Sequence, residues 1–180
     1  MLKNFSKSKS GFTLIEMLVV VSVIAILSGV VAVVLNSSGS QGKARDAQRV
    51  ADIKRIQTAL ELYFSDYREY PRTPASTWIR ITGTTDLLTT ALKGGSYMTV
   101  VPVDPLNTST ASNPCDDFTK YRYNYKDTTG NYYILTAIME VATSDDISKC
   151  KNLPIWSSQG CSSGDTWSGT TDYCYGVQNP

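Results

Sequence analysis

The sequence predicts an α+β fold: one long N-terminal helix, membrane-embedded in its first part, packs its second part on a small antiparallel β-sheet. Three observations predict it. Residues 14–35 form an almost unbroken apolar run. From Lys43 to Tyr67 apolar residues recur at steps of three and four, the period of a helix with one buried face. Further on, two runs rich in β-branched and aromatic residues flank Asp127-Thr128-Thr129-Gly130, the pattern of a β-hairpin.

Residues 1–11 carry Lys3, Lys7 and Lys9 and no acid, which places the N-terminus on the cytoplasmic side and the bulk of the chain outside. The 22-residue run from Leu14 to Leu35 would extend about 33 Å as a helix, enough to cross a bilayer core. It is longer than the apolar region of a secretory signal, and no small-residue cleavage site follows it. Between Lys9 and Lys43 the only charged side chain is Glu16. An acid at the centre of a membrane helix costs roughly 2.5–3.5 kcal/mol. Glu16 stands near the start, where the cost is lower, but a plain anchor has no use for it.

Asn36-Ser37-Ser38-Gly39-Ser40-Gln41-Gly42 is built of poor helix formers, each glycine costing about 1 kcal/mol relative to alanine in a helix interior. It reads either as a break between two helices or as a weak stretch of one. Beyond it Ala47, Val50, Ile53, Ile56, Leu60, Tyr63, Phe64 and Tyr67 form the stripe that should meet the sheet. Pro71 cannot continue this helix and pushes Tyr70 out of helical geometry.

Residues 71–83 read as an irregular connection. Thr84 or Thr85 is then the expected cap of a short helix over 86–93, closed by Gly94-Gly95. Residues 97–105 read as an extended passage in which Pro102 and Pro105 argue against a central strand. Tyr121, Tyr123 and Tyr125 alternate with Arg122, Asn124 and Lys126. This aromatic row reads first as a packing surface and second as a carbohydrate or adhesive face. A second strand is expected over 131–141. Asn107-Thr108-Ser109 fits a glycosylation sequon.

From Thr143 onward Ser, Gly, Thr, Asp and Asn dominate, with Trp156, Trp167, Tyr173 and Tyr175 as anchors. Such a tail orders poorly without cross-links and is the expected variable, exposed surface. The four cysteines, Cys115, Cys150, Cys161 and Cys174, all lie in the exported part, where disulfides are expected. No C-x-x-C pair points to zinc. Of three connectivities, the favoured one joins Cys115 to Cys150, clasping the hairpin, and Cys161 to Cys174, closing a short loop.

The stretch Gly11-Phe12-Thr13-Leu14-Ile15-Glu16, set between a basic leader and an apolar run, resembles the class III signal of type IV prepilins and of type II secretion pseudopilins. The likeness runs through the helix to Tyr70-Pro71, and Pro102-Val103-Asp104-Pro105 is also similar to pseudopilins. The resemblance implies a pilin-like fold with a cleaved leader, 1–11; a transmembrane and filament-core helix, 12–35; a hinge and amphipathic helix, 36–70; and an extracytoplasmic globular domain, 71–180. It implies cleavage after Gly11 by a prepilin peptidase, N-methylation of Phe12, and pairing of Glu16 with the Phe12 ammonium of an adjacent subunit during assembly. The implied partners are that peptidase, an inner-membrane assembly platform, the membrane before assembly, and further subunits in a homo-oligomeric or mixed filament. Major pseudopilins also hold calcium near the sheet, and Asp116 with Asp117 or Asp145 with Asp146 are the carboxylates to consider. The Gly/Asp-rich loop typical of those subunits is not recognisable, so no cofactor is expected.

Histidine is absent, which removes the usual general base and the Ser-His-Asp arrangement. There is no phosphate loop and no Gly-x-Ser-x-Gly elbow; catalysis is not expected. Without the leader the chain has 14 basic and 16 acidic side chains, a balance that gives no reason to expect a nucleic-acid partner. The function predicted is a structural subunit of a type IV pilus-like filament, a type II secretion pseudopilin. The alternatives are a type IV pilin of a surface fibre and, in a different class, a membrane-tethered binding domain that never polymerises.

Overall fold

The computed structural model describes residues 11–35, 38–114, 121–141, 149–156 and 173–179. The chain divides into two compact units, Met1–Gln41 and Gly42–Pro180. The first contains helix α1, Leu14–Leu35. Its valines and isoleucines are indifferent helix formers in water, but in a bilayer every backbone group must be paired within the segment, and a helix does this. Among the described residues, none in the window Leu14–Val31 is buried.

Helix α2, Ser38–Tyr67, takes up most of the serine- and glycine-rich stretch, Gly39 and Gly42 included. In the second unit its inner face is formed by Ile53, Ile56, Ala59 and Leu60, all buried, with Val50, Tyr63 and Phe64 half-buried beside them. Ala47 and Tyr67, expected on this stripe, are exposed. The stripe is therefore shorter at both ends than the apolar period suggests. After Tyr67 the chain reverses through Arg68, whose φ is 60°. Tyr70 then folds back onto Phe64 (ring centroids 4.7 Å apart) and meets the edge of Tyr133 (4.6 Å).

Four antiparallel strands pair in sequence order: β1 (Ile79–Arg80), β2 (Tyr123–Thr128), β3 (Tyr132–Ile138) and β4 (Cys174–Gln178). The expected hairpin is β2–β3, with Tyr125 opposite Leu135. Its turn places Thr129 and Gly130 at φ 61° and 78°, and Asp127 Oδ2 accepts the Gly130 N–H at 3.1 Å. Two strands escaped the sequence reading. β1 has only two residues inside the stretch taken as irregular. β4 lies in the tail taken as an exposed surface, and the alternation in Tyr173-Cys174-Tyr175-Gly176-Val177-Gln178 was its signal. Helix α3, Leu87–Gly94, is capped by Asp86 rather than by Thr84 or Thr85. A carboxylate has two oxygens to offer: Oδ1 accepts Thr89 N at 2.9 Å, while Oδ2 accepts Thr82 N at 2.9 Å and Thr89 Oγ1 at 2.7 Å.

One sheet face meets α2 through Tyr123, Tyr125, Tyr133, Leu135 and Ala137. The other face is also covered. Arg122, Asn124 and Thr136 are fully buried, and Arg122 and Asn124 donate to the carbonyls of Asn113 and Ser112. Beside them Ile134, Ile138, Cys150, Leu153, Trp156 and Cys174 form a second cluster, with Trp78 packed against it. This cluster corrects the disulfide expectation: Cys150 is bonded to Cys174, with Cα atoms 5.5 Å apart. Neither favoured pair, the hairpin clasp nor the short-loop closure, allowed for a strand in the tail: β4 joins the β3 edge and carries Cys174 to Cys150. Cys115 and Cys161 lie outside the described residues. Non-reducing peptide mapping should recover a Cys150–Cys174 cross-link. Cys150→Ser with Cys174→Ser should cost about 2–5 kcal/mol and release β4 from hydrogen-exchange protection before α2.

Candidate assembly site

Gly11, Phe12 and Thr13 precede α1 as exposed, non-helical residues. A Cβ at Gly11 would meet nothing within 4 Å, and Phe12 is 78% exposed. Thr13 and Glu16 cap the helix reciprocally. Glu16 Oε2 accepts the Thr13 backbone N–H at 3.0 Å and its hydroxyl at 2.8 Å, and Thr13 Oγ1 accepts the Glu16 N–H at 3.3 Å. This is a capping box, which satisfies backbone donors that a helix leaves unpaired at its start. It also sets a carboxylate at the positive end of the helix dipole. The structure thus gathers Gly11, Phe12 and Glu16 within about one helical turn. Thr13 is the participant that sequence reasoning passed over, although Thr-x-x-Glu before an apolar run is a readable capping signal.

The side chains beyond are apolar and uncovered: Leu14, Ile15, Leu18, Val21, Ile26 and Leu27 are each more than 60% exposed. Such a surface is stable only in lipid or against other helices. Leu14, Met17, Leu18, Val21, Ser22 and Ala25 line a shallow groove along it.

In the second unit, Asp46 and Arg49 of α2 join Asp104 and Glu140 in a largely buried charged cluster. Arg49 is fully buried. It forks onto Asp104, with Nε to Oδ2 at 2.7 Å and Nη2 to Oδ1 at 3.0 Å. Its Nη1 also reaches Asp46 and Glu140, each at 2.7 Å, and its guanidinium lies 4.6 Å from the centre of the Tyr121 ring. Asp46 in turn accepts the Glu140 and Val141 backbone N–H groups, both at 2.9 Å, and Arg45 donates to Glu140. Asp104 accepts the N–H groups of Leu106 and Asn107 as well. The Asp of the Pro-x-Asp-Pro passage is therefore a fastener between α2 and its own loop. Burial works against the charge on Arg49, but the hydrogen bonds it donates to Asp104 and Glu140 outweigh it and hold the guanidinium protonated.

Hydrogen bonding from Arg45, reinforced by Arg49, holds the Glu140 carboxyl down at about 2, against an ordinary 4.5. A carboxyl depressed on folding contributes stability above its unfolded value and loses it as pH falls toward the folded one. Thermal melts of the detergent-solubilised chain should therefore lose this contribution between about pH 4.5 and pH 2. In Glu140→Gln the melting temperature should start lower and fall less steeply across that window.

The tyrosine row is a packing surface. Tyr123 donates to Asp52 of α2 at 3.1 Å and Tyr125 to the Pro71 carbonyl at 2.7 Å. Tyr133 and Tyr70 both reach Glu61, at 2.9 and 3.0 Å. Burial pushes the Tyr123 and Tyr133 hydroxyls well above their usual range, so they stay neutral donors. Asn107, first residue of the sequon, is exposed in a loop. Asp116, Asp117, Asp145 and Asp146, the calcium candidates, lie outside the described residues. Among the described residues no group of three or more side chains could hold a metal ion.

Two family models match the sequence: a prokaryotic N-terminal methylation motif over residues 6–32, and type II secretion system protein G over residues 36–137, more than half of the chain. Relatives described as type II secretion system core protein G are similar to it. The one from Vibrio cholerae serotype O1 is 33% identical over 99 residues, which are 55% of this chain and 66% of the relative. The one from Pseudomonas aeruginosa is 42% identical over 67 residues, 37% of this chain and 46% of the relative. The one from Escherichia coli K12 is 40% identical over 63 residues, 35% and 42% of the two chains. The chain thus spans less than half the length of the last two. No solved structure matches it.

Proposed function

Because the chain belongs to the type II secretion system protein G family, we propose that it is a structural subunit of a type IV pilus-like filament, a type II secretion pseudopilin that polymerises through α1. The observation that carries this reading is an apolar helix whose described side chains are exposed, begun by an exposed Phe12 and the Thr13–Glu16 capping box. Before assembly α1 sits in the membrane, with the second unit outside. A prepilin peptidase removes residues 1–11, leaving an ammonium on Phe12. Assembly then exchanges helix–lipid for helix–helix contacts, with an inner-membrane platform supplying subunits to a homo-oligomeric or mixed filament. The carboxylate of Glu16 and the amine of a neighbouring Phe12 set the register, since opposite charges attract strongly where water is excluded. The role is structural, and no catalytic step is assigned to any residue.

Mass spectrometry of filament and membrane fractions tests the first step. The mature chain should begin at Phe12, carry an N-methyl group and lack Lys3, Lys7 and Lys9. Gly11→Leu should stay uncut and membrane-bound, because a bulky side chain obstructs the peptidase. Recovery of chains that start at Met1 in filaments overturns the processing step. Deletion in the source cell should block export of proteins through the secretion system; normal export with loss of surface fibres would favour a surface pilin instead.

A further inference from the structure

We infer that the solvent face of α2 carries a head-to-tail contact between copies of this chain, in which Lys54 and Arg55 of one copy dock on Asp66, Tyr67 and Glu69 of the next. The inference rests on the filament reading above and adds to it a contact outside the apolar helix. Ala51, Arg55, Thr58, Leu62 and Asp66 are all exposed. They follow one another at steps of three and four, so they form one continuous stripe opposite the face that meets the sheet. The stripe is polarised. Lys54 is exposed, and the Arg55 side chain is 72% exposed with only a 3.6 Å approach to Asp52. At the far end stand Asp66 and Glu69, both exposed.

The acidic end is also the apolar one. Leu62 is 52% and Tyr67 57% exposed. Tyr67 stacks on Tyr63 at 4.5 Å, Tyr63 meets Tyr97 at 5.5 Å, and the Tyr97 hydroxyl donates to Asp66 at 2.6 Å. Aromatic rings beside carboxylates suit a cationic partner with an aliphatic stem, because the stem covers the ring and the charge meets the acid. Lys54 and Arg55 have that chemistry. The two ends lie on one helix and are not the same surface, so joining them is a heterologous contact. Such contacts generate open filaments rather than closed dimers. The offset follows from the helix: Arg55 and Asp66 are separated by eleven residues, about 16 Å along the axis, so neighbouring copies would be staggered by a distance of that order. Single exposed ion pairs are weak, but the contact repeats at every subunit and includes Leu62 and Tyr67.

A zero-length carbodiimide cross-link on filaments of the full chain tests the contact. Lys54 and Asp66 of one chain lie about 18 Å apart on the same helix, so an isopeptide between Lys54 and Asp66 or Glu69 can form only between copies. Mass spectrometry should find that isopeptide in wild-type filaments. Lys54→Glu with Arg55→Glu, and Asp66→Lys with Glu69→Lys, should each lower filament number tenfold or more, and the fourfold charge swap should restore it. Asp66→Asn with Glu69→Gln keeps an acceptor for the Tyr97 hydroxyl, so a fall in its filament number is not a folding defect. Wild-type filaments without the cross-link, or charge-reversed chains that assemble normally, overturn the contact and leave the filament reading standing. Reversals that the swap does not rescue also overturn it. Failure of the processed wild-type chain to assemble with its platform overturns both.

Discussion

Arg49→Met should lower the stability of the second unit by about 3–5 kcal/mol, the usual cost of removing one partner from a buried ion pair. For a domain of this size that is a fall in melting temperature of about 10 °C or more. The size of the effect comes from what would be left behind. The Asp104 side chain is fully buried, and those of Asp46 and Glu140 are only 10% and 13% exposed. Three carboxylates would then share one pocket with Arg45 as the remaining cation, and Asp104 would lose both arms of its fork. Arg49→Lys should recover only part of the loss, because an ammonium cannot make the two parallel bonds that a guanidinium makes to Asp104. Calorimetry of the detergent-solubilised chain measures both. If Arg49→Met melts within a degree or two of wild type, the cluster does not fasten the loop to α2.

That cluster marks the boundary of what the sequence could show. The apolar run, the amphipathic helix, the hairpin and the lack of a strand through the Pro-x-Asp-Pro passage were legible because each is written in local periodicity or in proline chemistry. Gly11, Phe12 and Glu16 could be singled out because they stand within six residues of one another in the sequence, and the structure adds the Thr13–Glu16 capping box to them. Arg49, Asp104 and Glu140 could not. A charged residue every few positions on an amphipathic helix reads as a solvated flank, and nothing local tells Arg49 that residues 55 and 91 positions away will bury it. The cysteines failed in the same way. Pairing Cys150 with Cys174 needs β4 on the edge of β3, and the short alternation that signals this five-residue strand stands in a polar, serine-rich tail that reads as exposed surface. Tyr123 and Tyr125 were read correctly as packing residues, but their partners, Asp52 on α2 and the Pro71 carbonyl after it, became apparent only once helix and sheet were placed together.

Glu16→Ala should leave membrane insertion and cleavage after Gly11 intact while abolishing filaments. Insertion should be unchanged or slightly better, because the substitution removes an acid from the start of an apolar helix. Cleavage should persist because the cut lies five residues upstream. Assembly should fail because the Phe12 ammonium loses its charged partner in a core that excludes water. Alanine alone does not isolate the charge, since Glu16 also closes the capping box with Thr13, and losing a cap costs about 0.5–2 kcal/mol. Glu16→Gln separates the two roles. Glutamine serves a capping box as glutamate does, so it keeps the helix start but carries no charge. If charge sets the register, Gln and Ala should fail alike; if the cap is what matters, Gln should assemble and Ala should not. The variants are expressed without wild-type chain, leader removal is checked by mass, and filaments are counted by electron microscopy. Normal numbers with Gln would defeat the charge mechanism, and normal numbers with Ala would leave Glu16 without a role in assembly.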